Sequence, residues 1–217
     1  MNRSTLLAVA ALAAVSACKS STGSGDAPTS TDPFDSQSTL AQNYTAYSDG
    51  AQNWSVSGGR LIASGANNQS VLIRNGVSFT DGWVEATSTQ AADGGLVLRF
   101  KNATDYYLLA FRDDSASDIR SVRNLALYHH TGSAYHEMWD ANVTWARGTS
   151  HVVRFESAGQ KFNIYFDGAL VAAVTPSPGI NDPFPTTGAG GVGVRAYGDD
   201  TSWTTFFDSF SWHATNP

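Results

Sequence analysis

The densest run of chemically capable side chains is Tyr128-His129-His130, followed after Thr131-Gly132-Ser133 by Tyr135-His136-Glu137-Met138-Trp139-Asp140. Paired as a hairpin, these strands bring two or three histidines, a carboxylate and aromatic rings to one side. That set suits a metal site, a general acid or base, a sugar platform, or merely a solvated hairpin with half-buried rings. Sugars present apolar C–H faces between hydroxyls, so rings for stacking beside a few polar groups match them. On that reading Tyr128, His130, Tyr135, His136, Glu137 and Trp139 are the candidate ligand-binding residues. Arg99 and Arg112 join them. Both stand in apolar strands, where a charge is seldom fully buried without a partner. Each is expected either to project toward a ligand or to pair with Asp113, Asp114 or Glu137. Trp145 and Trp203 are further ring candidates, although large aromatics such as these more often belong to the core.

Signs of catalysis are sparse. His136-Glu137-Met138-Trp139-Asp140 begins like the zinc motif H-E-x-x-H but ends in an aspartate, and it reads as a strand. There is no G-x-S-x-G elbow, no phosphate-cradling loop and no C-x-x-C pair. No residue is assigned a catalytic role.

The elements that must position these groups are strands. Charged residues make up 15% of the 217-residue chain, and the net charge is -6. That acidic balance, with no basic stripe, argues against a nucleic-acid partner. Gly, Ser, Thr, Asn and aromatics are plentiful past the leader, the composition of strands and turns rather than helices. Short alternating segments are split by turn signals at Gly58-Gly59, Asn75-Gly76, Asp81-Gly82, Asn102 to Asp105, Ala158-Gly159 and Asp167-Gly168. No segment shows a sustained helical period, although Ser117 to Leu125 has room for a helical turn. The pattern predicts an all-β, two-sheet antiparallel sandwich. Alternation puts Leu96, Leu98 and Phe100 on one face of their strand, with Val97, Arg99 and Lys101 on the other. Phe162, Ile164 and Phe166 likewise share a face.

The N-terminus reads differently. Arg3 precedes an apolar run from Leu6 to Val15, and Ser16-Ala17 leads into Cys18, the chain's single cysteine. The run is well short of the ~20 residues of a spanning helix and has the order of a secretory signal. Val15-Ser16-Ala17-Cys18 resembles a bacterial lipobox, which implies cleavage before Cys18 and its lipidation. A lipid anchor also accounts for an unpaired cysteine in an exported chain. Because Lys19 follows, rather than the aspartate of inner-membrane lipoproteins, the resemblance implies the outer membrane or cell surface of a bacterial envelope. The expected organisation is a signal peptide over 1–17, a lipidated cysteine and flexible tether over 18–33, and one domain over 34–217.

From Asp32-Pro33-Phe34-Asp35 through Phe166-Asp167-Gly168 to the glycine-rich strand ending at Arg195 and the closing Phe207-Asp208-Ser209-Phe210, the chain resembles the concanavalin A-like lectin/glucanase superfamily. Within it, the chain is similar to laminin G-like jelly rolls and to bacterial domains related to 3-keto-disaccharide hydrolases. The resemblance implies a jelly roll and a poly- or oligosaccharide ligand. Family-sixteen glycosidases of this fold carry Glu-x-Asp-x-x-Glu on one strand; retaining hydrolysis needs two carboxyl groups ~5–5.5 Å apart. Here Glu85, Glu137 and Glu156 are the three glutamates, and none stands in that motif. The expectation is therefore a non-catalytic carbohydrate-binding domain. Its rivals are a 3-keto-glycoside hydrolase or lyase with His130, His136 or Glu137 as base, and a laminin G-like protein-interaction module. The superfamily's adjacent first and last strands also imply a calcium site from Asp32, Asp35 and Asp208.

Overall fold

The computed structural model describes residues 30–48, 53–64, 68–114, 123–183, 185–198 and 204–215. The elements begin with β1 (Ser30–Asp32), α1 (Gln37–Asn43), β2 (Tyr44–Ser48), β3 (Asn53–Val56), β4 (Leu61–Ser64) and β5 (Asn68–Phe79). Next come β6 (Gly82–Ser88), β7 (Gly94–Asn102), β8 (Asp105–Phe111), β9 (Leu125–Thr131) and β10 (Ala134–Ala141). The last are β11 (His151–Ala158), β12 (Lys161–Phe166), β13 (Ala169–Val174), β14 (Gly190–Gly198), β15 (Thr204–Phe207) and β16 (Ser209–Ala214).

A seven-stranded sheet in the order β10-β9-β8-β7-β14-β5-β2 packs on a six-stranded sheet in the order β1-β16-β6-β11-β12-β13. A small sheet, β15-β4-β3, completes the strands. Every pairing is antiparallel, as hairpin connections require. The main core lies between the two large sheets. It takes Leu96, Leu98, Leu109, Leu127 and Val194 from one, and Val84, Val153, Phe155, Ile164 and Phe210 from the other. The expected all-β sandwich is therefore the observed one, and the first and last strands do pair, Asp32 opposite Phe210.

Local departures from the expected pattern have local causes. Arg99 adopts φ 53°, inside an irregularity of the β7–β8 pairing between Leu98 and Asn102. The left-handed residue reverses the alternation. Leu98 stays in the main core, while Phe100 joins Val97 on the opposite face. Asn75-Gly76 does not end a strand: β5 runs through it, with the turn absorbed as a wide irregularity opposite Gly191 and Gly193. The short helix α1 went unsignalled because only Leu40 of its residues is buried; Ser36 caps it by accepting from Thr39 N. Within the expected tether, Ser30–Asp32 forms β1. Cys18, the leader and most of the tether lie outside the described residues, as do Trp203 and positions 117–122.

Candidate functional site

A solvent-facing side of an antiparallel sheet normally carries the polar half of each strand's alternation. The outer face of the seven-stranded sheet departs from that. Val71, Ile73, Val97, Phe100, Tyr106, Leu108 and Ala110 form a second buried apolar cluster there, with Tyr128 packed against it. The register explains how. Val97 stands opposite Leu108, Leu108 opposite Tyr128, and Tyr128 opposite Glu137. One row along, Tyr106 faces His130, and His130 faces Tyr135. Side chains of one parity on adjacent strands thus converge on one face.

Over this apolar floor sits a layer of rings and hydrogen-bonding groups. His130 stacks on Tyr135, centroids 4.2 Å apart, and lies 4.8 Å from Tyr106. The Tyr106 and Tyr135 hydroxyls share a hydrogen bond of 2.7 Å, and Gln69 Nε2 donates to the Tyr106 oxygen. Tyr128 meets Tyr135 edge-on at 6.0 Å and donates to Glu137 Oε2 at 3.1 Å. Burial, followed by the charge of Glu137, pushes the Tyr128 phenol up to about 12. Asp93 Oδ1 accepts from Arg195 Nη1 at 2.5 Å, and Arg112 Nη2 stands 3.9 Å from Asp93 Oδ2. Arg195 lies 5.2 Å from the Tyr197 ring centre. Two rings remain open to solvent, Tyr135 at 37% and Tyr47 at 38%, the latter 4.8 Å from Phe100.

The structure brings together Arg112, Tyr128, His130, Tyr135 and Glu137 on this face. It separates three other candidates from them. Arg99, turned inward by its bulge, lies over Phe162 and bonds the carbonyls of Thr80, Gly159 and Thr186. Burial draws its guanidinium below the usual arginine range. The expected partners of the arginines are also replaced: Arg99 stands 3.7 Å from Asp81, and Arg112 faces Asp93. His136 stands opposite the inward-facing His129, on the other side of β10. Trp139 follows a register shift in β10 and packs on the main core; Trp145 is wholly buried in that core. Sequence reading missed Asp93, Arg195, Tyr106, Gln69 and Tyr47. Arg195 alone carried a signal, a charge in the otherwise small and apolar run Gly190 to Ala196.

His129 belongs to a different, structural set. Its Nδ1 lies 2.8 Å from Asp182 Oδ1 and its Nε2 3.2 Å from Asp105 Oδ1. Tyr107 stacks on it at 4.3 Å, donates to Asp182 Oδ2 and accepts from Thr186 N. Burial and Asp182 push the Tyr107 phenol well above the ordinary range. This network ties the loop after β13 to the sheet. The cleft beside it, lined by Arg99, Tyr107, Thr186 and prolines, holds about 80 Å³, against the ~300–1,000 Å³ of ligand pockets.

The acidic candidates do not assemble. Asp208 Oδ1 is 2.7 Å from Arg60 Nε, Asp32 Oδ1 accepts from Phe34 N, and Asp35 is exposed. Among the described residues no group of three or more His, Cys, Asp or Glu is placed to hold a metal. Glu85 pairs with Arg154 at 2.8 Å, and Glu156 accepts from Asn163 and Tyr165, both on the other sheet from Glu137.

No protein-family model matches the chain, and no curated protein matches it in sequence. Among solved structures it is similar to a Bacillus subtilis protein of unknown function with a galectin-like fold, TM-score 0.62 at 12% identity, covering 87% of this chain and 96% of that one. It is also similar to the carbohydrate-binding module CBM66 from Bacillus subtilis, TM-score 0.55 at 16% identity, over 79% of this chain and 92% of the module. The Bacillus licheniformis β-glucanase gives TM-score 0.56 at 13% identity, over 85% and 97%. The chain therefore has the concanavalin A-like jelly-roll fold.

Proposed function

We propose that the chain is a bacterial envelope lipoprotein whose jelly roll binds an oligosaccharide without hydrolysing it. The observation that carries the binding is the outer face of the seven-stranded sheet: an apolar floor under Tyr135, His130, Tyr128, Glu137 and Arg112. A ring open to solvent stacks on the C–H face of a sugar, and the flanking groups donate to and accept from its hydroxyls. The similarity to a carbohydrate-binding module supports this reading. A non-hydrolytic role is supported by the dispersal of the glutamates, each engaged by its own partner. The rival base set also loses coherence, because His136 sits on the opposite side of β10 from His130. The anchor rests on Cys18 and the run before it.

A glycan array of the purified protein, with and without calcium, tests the binding. Specific binding that Tyr135→Ala weakens by about tenfold is expected. A blank array with folded protein would transfer the weight to a protein partner, and release of product from a 3-keto-disaccharide would make the domain an enzyme.

A further inference from the structure

The edge of a sheet presents unpaired backbone N–H and C=O groups, and natural proteins guard it, most often with charge. Three of the four edges of the large sheets carry polar side chains. β1 is Ser-Thr-Asp, every residue of β2 except Ala46 bears a hydroxyl, and β10 holds His136, Glu137 and Asp140. The exception is β13, Ala169-Leu170-Val171-Ala172-Ala173-Val174, which has no polar side chain. It ends the six-stranded sheet, bonded to β12 on one side and, among the described residues, to no strand on the other. The edge is open to solvent: Leu170 is 57% exposed, and Ala169 and Ala173 are exposed beside it. Val171, the extra residue of a bulge opposite Ile164 and Tyr165, packs with Ala172 on the main core, so the bulge brings no charge to the edge. The turn after β13 carries Ile180, 87% exposed. That turn is well held, since Ser177 O accepts from the N–H groups of Ile180, Asn181 and Asp182, and Asn181 Oδ1 accepts from Ser177 N. Apolar side chains exposed singly are ordinary, but here they accompany an unguarded ladder.

We propose that β13 pairs antiparallel with β13 of a second copy of this chain, joining two six-stranded sheets into one. An open ladder of backbone donors and acceptors is completed by another strand. A second copy fits, because an antiparallel pair of uncharged strands sets no like charges opposite one another. The two-fold relation lets the same surface serve both partners. It also brings the start of one strand to the end of the other, so Leu170 of each copy lies toward the turn that carries Ile180 of the other. Pro176, which has no N–H, ends the ladder beyond Val174. The two-fold axis stands normal to the continued sheet, so both seven-stranded faces point the same way.

The test is sedentation of the purified full chain over a range of concentrations, with amide hydrogen exchange at the two extremes. A dimer with a dissociation constant on the order of 10 μM is expected, the weak end of the scale for so short an interface. At the higher concentration the amides of Ala169 to Val174 that point away from β12 should exchange about tenfold more slowly, while those of β2 and β10 do not change. Leu170→Lys, at an exposed position, is expected to weaken the dimer by about tenfold or more, because a charge at an edge blocks pairing. A chain that stays monomeric at about 500 μM would overturn the proposal. So would self-association that leaves the β13 amides unprotected, including association through the apolar N-terminal run, or a dimer that Leu170→Lys leaves intact. If that variant fails to fold, the exchange pattern of the wild type decides the matter. Carbohydrate binding stands or falls separately from each of these results.

Discussion

At the scale of single residues, Tyr135 and His130 are the proposed contact pair. The stacked imidazole supports the phenol from below, and the Tyr106 hydroxyl fixes its tip. A pre-positioned ring costs little entropy on binding. Tyr135→Ala should therefore lower glycan affinity by about tenfold, the order of one lost aromatic contact, with little change in melting temperature because the ring is half open. Titration by calorimetry against an array hit checks this. Tyr128 makes a separate prediction. Its folded pKa, about 12, lies above that of an unfolded tyrosine, near 10. Its contribution to stability is thus fully present below about pH 10 and is lost as pH rises toward 12. Tyr44 and Tyr107, also raised by burial, act in the same direction. Melting temperature should fall steeply above about pH 10, and less steeply in Tyr128→Phe.

At the scale of elements, β14 sets how closely the seven-stranded sheet packs. A Cβ at Gly193 would overlap the Leu72 carbonyl oxygen, and one at Gly190 the Arg99 backbone. Gly193→Ala should force β14 away from β5 and destabilise the domain by about 1–3 kcal/mol, measured by urea denaturation. The same strands show how far the pattern of residues reaches. Alternation in β12 and in Leu96 and Leu98 was legible, because one face of each strand meets the other sheet. The hairpin turns at Gly58-Gly59, Gly132, Gly159 and Asp167-Gly168 were legible because each supplies positive φ. The reversal at Arg99 was not, since a bulge is set by the neighbouring Gly190 strand rather than by local residue types. The hairpin β9–β10 places Tyr128, His130, Tyr135 and Glu137 on one face, as the pairing of its two strands implies. Asp93, Arg195 and Tyr106 come from strands far apart in sequence, and only the sheet order makes them neighbours.

At the scale of the whole molecule, the described chain begins at β1, in the six-stranded sheet, whereas the candidate face belongs to the seven-stranded one. If Cys18 carries the anchor, the anchor enters the described domain at β1, in the sheet opposite the candidate face. Cys18→Ser should move the protein from the membrane to the soluble fraction, followed by fractionation and immunoblot, with glycan binding unchanged. Retention at the membrane would remove the lipid-anchor reading without touching the binding one.

The central claim is that carbohydrate binds on the outer face of the seven-stranded sheet. The most direct measurement compares the wild type with Tyr135→Ala and with Tyr165→Ala, a ring of the opposite sheet bonded to Glu156, on one glycan array. Binding by the wild type and by Tyr165→Ala, with loss in Tyr135→Ala, is the predicted result. Equal binding by all three, or loss only in Tyr165→Ala, would place the site elsewhere and contradict the claim.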